Sequence, residues 1–479
     1  MRPLARSTLL LALLLAALVA SAFLWAQQNE SLPKGQVVAK VPCRTDPTES
    51  YALYLPSHYG SQKAYPILYA FDPAARGSVP VANFQEAAEK YGYIVVGSKD
   101  SRNGPWEITL RAAQVMWEDA HQRFMLDERR VYMAGFSGGA RVACALARVL
   151  RGRVAGVIAC GAGFPIGPGA GPAKDTPFVF FATIGIRDFN FTELKELDKT
   201  LDDLGLAHRI EVFAGEHDWA PSDLSTQAIE WMEIQAMKSG KRERDKALLD
   251  ELYGKRTDEA RRLTESGDLA RAARRYRALA DDFDGLRDVS EVRTKLDQLQ
   301  GSKELKGALK REAKRENRIA ALEAEYLSAY YELMNAFRTA DGSAAEIYQM
   351  VQQLQLPERR KQAAAKKETE ESIAAERFVR GVLVQTYEQA RGALAAKDFR
   401  RAKLNLQIAA ECAPDSAYIH YTLARAYALN KEDKSALAAL RKGVEKGYTD
   451  IDAIEKNEEF DGLRQMPGYQ DLVRQLTKK

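Results

Sequence analysis

The feature that most constrains the fold is an alternation of short apolar runs with amphipathic stretches between residues 36 and 240. Gly and Pro residues separate many of these segments, as expected where turns join strands to helices. The runs at residues 94–96 and 178–181 are apolar at every position, which is typical of strands buried on both faces. Strand-like runs occur at residues 36–41, 51–55, 66–71, 93–97, 130–136, 154–160, 178–184 and 209–213.

Helical periodicity fills most intervals between the later strands. The first strands follow one another without an intervening helix. Strands that alternate with helices form a mostly parallel sheet covered on both faces. We therefore predict an eight-stranded α/β domain over residues 31–240. The predicted helices cover residues 81–91, 107–124, 140–150 and 193–204.

The composition changes after residue 240, where Ala, Leu, Glu, Lys and Arg dominate and Gly and Pro become scarce. That composition predicts helices. A 34-residue helix-turn-helix period is typical of tetratricopeptide repeats. We predict one such unit and a charged helical arm within residues 245–380, and repeats with C-terminal helices within residues 381–479. The arm at 302–377 is either a coiled coil or degenerate repeats. The repeat positions are Ala402, Leu406, Leu423, Ala424, Tyr427, Ala436 and Leu440.

The first 26 residues have the pattern of an export signal. Arg2 and Arg6 precede an uncharged run over residues 7–26, and Ala20 and Ala22 form a small-residue cleavage site. We expect a cleaved signal peptide and a periplasmic or secreted protein. The alternative is an uncleaved anchor, since the run approaches the ~20 residues that span a bilayer. Only that alternative places the protein on a membrane.

Charge and cysteine content exclude two classes of protein. The 70 basic and 66 acidic side chains give a net charge of +4. Nucleic-acid binding requires clustered basic surface rather than this mild excess, so no nucleic-acid partner is expected. The four cysteines are too few and too scattered for a disulfide framework, and we interpret them as small buried residues.

The sequence Gly-Phe-Ser-Gly-Gly at residues 135–139 joins the strand-like run 131–134 to a helical segment that starts at residue 140. A G-x-S-x-G motif on a strand-to-helix turn is typical of a nucleophile elbow, in which the serine Oγ is exposed. The following helix directs its positive N-terminal end at this site. Ser137 is therefore the candidate nucleophile, and the alternative is an ordinary glycine-rich turn.

A serine nucleophile requires a histidine base, and the chain has five histidines. His217 directly follows the last predicted strand, which places it at the same sheet edge as Ser137. The other four lie at the opposite edge, inside a helix or in the repeat region: His58, His121, His208 and His420. His217 is therefore the candidate base.

The base needs an orienting carboxylate, which in this order of elements lies between the serine and the histidine. Asp188 follows the seventh predicted strand at the same edge of the sheet. Asp175 precedes that strand, and Asp198 lies in the next helix. Asp188 is therefore the candidate acid, and the alternative is that it serves as the N-cap of the following helix.

The site also needs donors for an oxyanion. The N–H of Gly138 is the first candidate, and the loop after the third strand supplies the second from Ala74 or Asp72, since Pro73 has no N–H. Asn103 and Trp106 follow the fourth strand at the same edge, and we interpret them as candidates for a substrate pocket. Burial of Trp106 in the core is the alternative.

At these residues the chain resembles the α/β-hydrolase superfamily, in particular bacterial esterases near the polyhydroxybutyrate-depolymerase and dienelactone-hydrolase branches. The resemblance covers roughly residues 36–238 and departs from dienelactone hydrolases, which have a cysteine where this chain has Ser137. It implies an acyl-enzyme on Ser137, with His217 as base and then acid and Asp188 orienting it. It implies no metal and no cofactor. The short segment at residues 161–176 leaves no room for a lipase lid, which favours water-soluble or exposed polymeric esters.

We therefore expect an exported serine esterase with an ester substrate, whose domain at 31–240 folds and acts alone. The helical region at 245–479 is expected to recruit a protein or peptide partner. One alternative is a tetratricopeptide scaffold with an inactive hydrolase domain. A second is a serine peptidase of the prolyl-oligopeptidase type, although the β-propeller usual in those enzymes is missing from this sequence.

Overall fold

The computed structural model of the protein describes residues 32–60, 62–336 and 343–477. The predicted signal segment at residues 1–26 lies outside the described residues. One eight-stranded sheet has the strand order β1-β2-β4-β3-β5-β6-β7-β8. Its strands are β1 (Val37–Pro42), β2 (Ser50–Tyr54), β3 (Tyr65–Phe71), β4 (Ile94–Ser98), β5 (Leu126–Phe136), β6 (Gly156–Cys160), β7 (Val179–Gly185) and β8 (His208–Phe213).

The sheet is antiparallel only at its β1 and β2 edge and parallel from β4 to β8. Successive residues of β3 face opposite sides, so that Ile67 and Tyr69 belong to one apolar core and Leu68 and Ala70 to the other. Two cores around a doubly covered parallel sheet explain why these strands are apolar throughout. The architecture is that of the α/β-hydrolase fold, which confirms the predicted fold class.

Six helices pack around the described sheet. The segment predicted as one helix at residues 81–91 forms two, because the chain turns at Phe84, which ends the first and precedes the second. These helices are α1 (Ser78–Asn83), α2 (Gln85–Tyr91), α3 (Trp106–Arg123), α4 (Gly138–Val149), α5 (Phe191–Leu204) and α6 (Ser222–Lys238).

The rest of the described chain is helical. The boundary that we predicted between residues 380 and 381 lies inside α13, whose apolar face continues across it. A 3₁₀ helix at Glu458–Leu463 precedes α18. The helices are α7 (Lys246–Glu265), α8 (Leu269–Phe283), α9 (Ser290–Gly301), α10 (Lys303–Ala336), α11 (Ala344–Gln353), α12 (Leu356–Ala363), α13 (Glu370–Ala395), α14 (Phe399–Cys412), α15 (Ala417–Leu429), α16 (Asp433–Glu445), α17 (Ile451–Glu455) and α18 (Pro467–Thr477).

Helix α6 joins the two regions instead of ending the first one. Its Ile234 and Met237 are buried in the same apolar cluster as residues of α7, α8 and α9. The indole Nε1 of Trp231 donates to Asp282 Oδ1 on α8 at 2.8 Å. Helix α6 therefore packs on both regions, and the independence of residues 31–240 stays a prediction.

All four cysteines are buried and free, as the sequence predicts. Among the described residues, no helix has the length and apolarity needed to cross a membrane.

Candidate active site

Ser137 lies on the turn between β5 and α4, with φ of 52° and ψ of −120°. A non-glycine residue in this region is strained and persists only where its surroundings hold it. The turn is so tight that a Cβ atom at Gly135 would lie 2.1 Å from the carbonyl oxygen of Gly139. Gly135 and Gly139 are therefore required by close backbone contact, as in a nucleophile elbow.

The three residues predicted as a triad lie within hydrogen-bond distance of one another. His217 Nε2 is 2.9 Å from Ser137 Oγ, and His217 Nδ1 is 2.8 Å from Asp188 Oδ2. The parallel order of β5, β7 and β8 brings the loops after these strands to one sheet edge. This arrangement gives the serine a base and gives the base a carboxylate that fixes its orientation.

Asp188 is fully buried and faces the base. Burial raises the pKa of Asp188, and the hydrogen bond from His217 offsets part of that increase. The carboxylate also accepts the Asn190 N–H at 2.8 Å. Asn190 itself, not Asp188, occupies the N-cap position of α5. The helix-cap alternative for Asp188 is therefore wrong.

Two aromatic rings pack on the imidazole of His217. The ring centroid of Phe136 is 4.6 Å away and that of Phe189 is 4.1 Å away. They leave the side chain of His217 only 11% exposed, which limits the access of water to the base. Sequence reasoning missed both rings, although each is adjacent to a triad residue in the chain.

Three of the other four histidines have hydrogen-bond partners away from the elbow. His121 in α3 lies 2.8 Å from the carbonyl oxygen of Trp117. His208, at the first residue of β8, lies 3.2 Å from Asp198, and His420 lies 2.8 Å from the carbonyl oxygen of Pro414. Their positions agree with the elimination that singled out His217.

Of the two donors predicted in the loop after β3, the N–H of Ala74 has a partner, and the N–H of Asp72 stays a prediction. The Ala74 N–H donates to the carboxylate of Asp72 at 2.9 Å, so it is already engaged. The same buried carboxylate accepts from Arg76 and, at 2.9 Å, from the indole of Trp219. Burial alone would raise the pKa of Asp72, but these hydrogen bonds outweigh it and lower the pKa. The side chain of Asp72 thus anchors the loop.

Asn103 lies beside the N-terminus of α4. A Cβ atom at Gly138 would lie 1.8 Å from Asn103 Oδ1 and 3.2 Å from Nδ2, so the amide is in direct contact with that backbone. The Asn103 N–H donates to the carbonyl of Pro73 at 2.8 Å, which ties it to the loop after β3. Trp106 is 44% exposed, so its interpretation as a core residue is wrong.

No cluster of three or more His, Cys, Asp or Glu side chains suited to a metal ion occurs within the described part of the chain.

Comparisons with known proteins identify no family for this chain. No family model matches the sequence, and no curated protein matches it. S-formylglutathione hydrolase from Staphylococcus aureus is 14% identical over 42% of this chain and 98% of its own, with a TM-score of 0.34. A ferulic acid esterase is 15% identical over 41% and 97%, with a TM-score of 0.36. S-formylglutathione hydrolase from Agrobacterium tumefaciens is 13% identical over 38% and 88%, with a TM-score of 0.32.

Proposed function

We propose that this protein is a serine hydrolase that cleaves carboxylic esters through an acyl-enzyme on Ser137. The observation that carries the proposal is the continuous hydrogen-bonded chain from Ser137 Oγ through His217 to Asp188. The strained elbow at Ser137 adds support, because a strained non-glycine residue has to be held in place and such residues cluster at functional sites.

In the first half-reaction, His217 Nε2 takes the proton of Ser137 Oγ as the oxygen attacks the ester carbonyl carbon. The tetrahedral intermediate collapses when the bond to the alkoxy oxygen breaks, and His217 returns the proton to the departing alcohol. In the second half-reaction, water attacks the acyl-enzyme, its proton passes to His217 and then to Ser137 Oγ, and the carboxylic acid leaves. Buried Asp188 stabilises the imidazolium that forms in both halves.

We assign the oxyanion hole to the N–H of Gly138 and the side-chain amide of Asn103. Gly138 is the first residue of α4, so its N–H has no partner within the helix. The Asn103 amide has no hydrogen-bond partner among the described residues and lies against Gly138. A half-turn of that amide exchanges oxygen for nitrogen and presents an N–H to the reacting carbonyl. The N–H of Ala74, a donor that the sequence suggested, already donates to Asp72 and is therefore less suited to this role than Asn103.

The test is a panel of p-nitrophenyl esters of increasing acyl length, assayed beside aminoacyl-naphthylamides. We expect hydrolysis of the esters by the wild type and loss of at least about 10³-fold in kcat for Ser137→Ala, since triad members act as a unit. Turnover of the amides alone would replace the esterase proposal with a peptidase. Turnover of neither class would favour a scaffold role.

We further propose that the helical region recruits a protein or peptide partner and that the protein is exported. The consecutive helices α14, α15 and α16 pack around one apolar cluster, an arrangement in keeping with the tetratricopeptide spacing of the sequence. The basic start and apolar run at residues 1–26 support export. An N-terminus of the mature protein near Phe23 would support a cleaved signal, and an intact Met1 would support an anchor.

A further inference from the structure

Helix α13 of the C-terminal region lies against both loops that carry the acid and the base. The acid loop, residues 186–190, follows β7, and the base loop, residues 214–221, follows β8. The contacts come from residues 376, 377, 380 and 381 of α13. Residues four apart share one face of a helix, so these positions form a single surface directed at the triad.

Arg377 makes the closest contact with the acid loop. Its side chain is 4% exposed, and its Nε and Nη2 donate to the carbonyl oxygen of Ile186 at 3.0 and 2.6 Å. Its Nη1 donates to Glu323 on α10 at 2.8 Å, and its guanidinium carbon lies 4.0 Å from the ring centroid of Phe191. The planar guanidinium thus holds the backbone two residues before Asp188 in a fixed position.

Neighbouring side chains of α13 extend the contact to the base. Glu376 accepts a hydrogen bond from Arg187 in the acid loop. Arg380 pairs with Glu216, the residue before His217, at 2.8 Å. Gly381 faces Phe189 so closely that a Cβ atom there would lie 3.3 Å from the Phe189 Cβ. Since the ring of Phe189 packs on His217, a shift of α13 would displace both the acid and the base.

We propose that Arg377 is a positioning residue for the Asp188–His217 pair, so that turnover at Ser137 requires the C-terminal helical region. This inference rests on the proposed hydrolase function. Helix α13 lies more than a hundred residues beyond the last strand, yet its side chains contact the loops that carry Asp188 and His217. Its face toward the acid and base loops therefore has a catalytic consequence besides a structural one.

The charge of Arg377 also favours an active Asp188–His217 pair, because it helps to keep Asp188 ionised. Burial raises the pKa of Asp188, and the positive charges that face it are those of His217 and Arg377, which both oppose that increase. Without the positive charge of Arg377, burial raises the pKa of Asp188 further. Protonated Asp188 no longer orients the base, so activity is lost at a higher pH than in the wild type.

The test compares the full-length wild type with Arg377→Ala, Arg377→Lys and the control Arg391→Ala. Arg391 lies on the same helix, and its ion pair is with Glu388 in that helix. With a small p-nitrophenyl ester we expect Arg377→Ala to lower kcat by about 10- to 100-fold while KM changes by less than about 3-fold, since the loss is in alignment. The acid limb of the pH profile should move to higher pH. Arg377→Lys should be intermediate, and Arg391→Ala should match the wild type.

A second readout does not depend on activity. The proton between His217 Nδ1 and Asp188 gives a separate low-field proton signal when the pair is aligned, and it should broaden or vanish in Arg377→Ala. Wild-type kcat, pH profile and low-field signal in that variant would overturn the inference. If Arg377→Ala does not fold, Arg377→Lys decides alone, and wild-type kcat there would overturn it. A wild type without turnover refutes the proposed function instead, and the low-field signal still tests the positioning.

Discussion

Ser137 holds a backbone conformation that its neighbours impose on it. The preceding residues belong to β5 in the middle of the sheet, and the following ones begin α4, so the chain reverses direction at one residue. The strain is confined to that residue, where it exposes Oγ to His217 Nε2 at 2.9 Å. Gly135 and Gly139 each lack a Cβ atom that would collide with a backbone carbonyl oxygen, and these contacts explain part of the residue pattern.

A single substitution at Asn103 tests the proposed oxyanion hole. Asn103→Ala removes the side-chain amide beside Gly138 and leaves the triad in place. We expect kcat for a p-nitrophenyl ester to fall by about 10²- to 10³-fold with a smaller change in KM, as for other oxyanion donors. Arg102→Ala, a change of an exposed neighbour in the same loop, is the matched control. Full kcat in Asn103→Ala would remove Asn103 from the oxyanion hole.

The sequence predicts some site residues better than others for a physical reason. Ser137, Asp188 and His217 follow the ends of parallel strands, so the order of elements is enough to place them at one edge. The second oxyanion donor that we propose, Asn103, depends on a contact with Gly138, which the order of elements does not predict. Arg377 was missed because it comes from a helix distant in sequence.

At the scale of elements, the predicted strands match the structure closely because strands buried on both faces are apolar throughout. The main exception is β5, which begins at Leu126 rather than at residue 130. Its first part is polar and pairs through Leu126 with Tyr65, so apolar pattern alone does not reveal it. Helix α13 also runs through the boundary predicted at residue 380, where the helical composition of the sequence is uniform.

We call the contact between α6 and helices α7, α8 and α9 the seam, because it joins the α/β domain to the helical region. Asp282 on α8 is 3% exposed and accepts from Trp231 of α6, from Arg209 of β8 at 3.0 Å and from Arg256 of α7 at 2.6 Å. Such a buried carboxylate stabilises the fold only while its partners are present, because a buried charge without a partner destabilises the folded state.

A shortened chain tests this seam. A chain of residues 32–240 lacks α7 to α9, so Ile234 and Met237 lose their apolar neighbours there and Arg209 loses Asp282. We expect this chain to be insoluble or to unfold at a temperature at least about 10 °C below that of the full-length protein. The matched control ends at residue 301, keeps α7 to α9 and should stay soluble. A soluble chain of residues 32–240 with the full-length unfolding temperature would show that the α/β domain is independent after all.

At the scale of the whole molecule, the chain combines an α/β-hydrolase sheet with a helical region, and two of the contacts between them matter most here. One contact is the seam at α6, and the other is the face of α13 on the acid and base loops. The second contact involves the loops of Asp188 and His217, so a displacement of α13 would be felt at the triad.

The most direct test of the central claim is labelling by a fluorophosphonate, followed by mass spectrometry of the modified peptide. A serine activated by a hydrogen-bonded histidine reacts with this probe, and an ordinary surface serine does not. We expect one adduct per molecule, on Ser137, with none in Ser137→Ala, almost none in His217→Ala and slower labelling in Asp188→Asn. An adduct on another residue, equal labelling of Ser137→Ala, or an unmodified wild type would contradict the assignment of Ser137, His217 and Asp188 as a working triad.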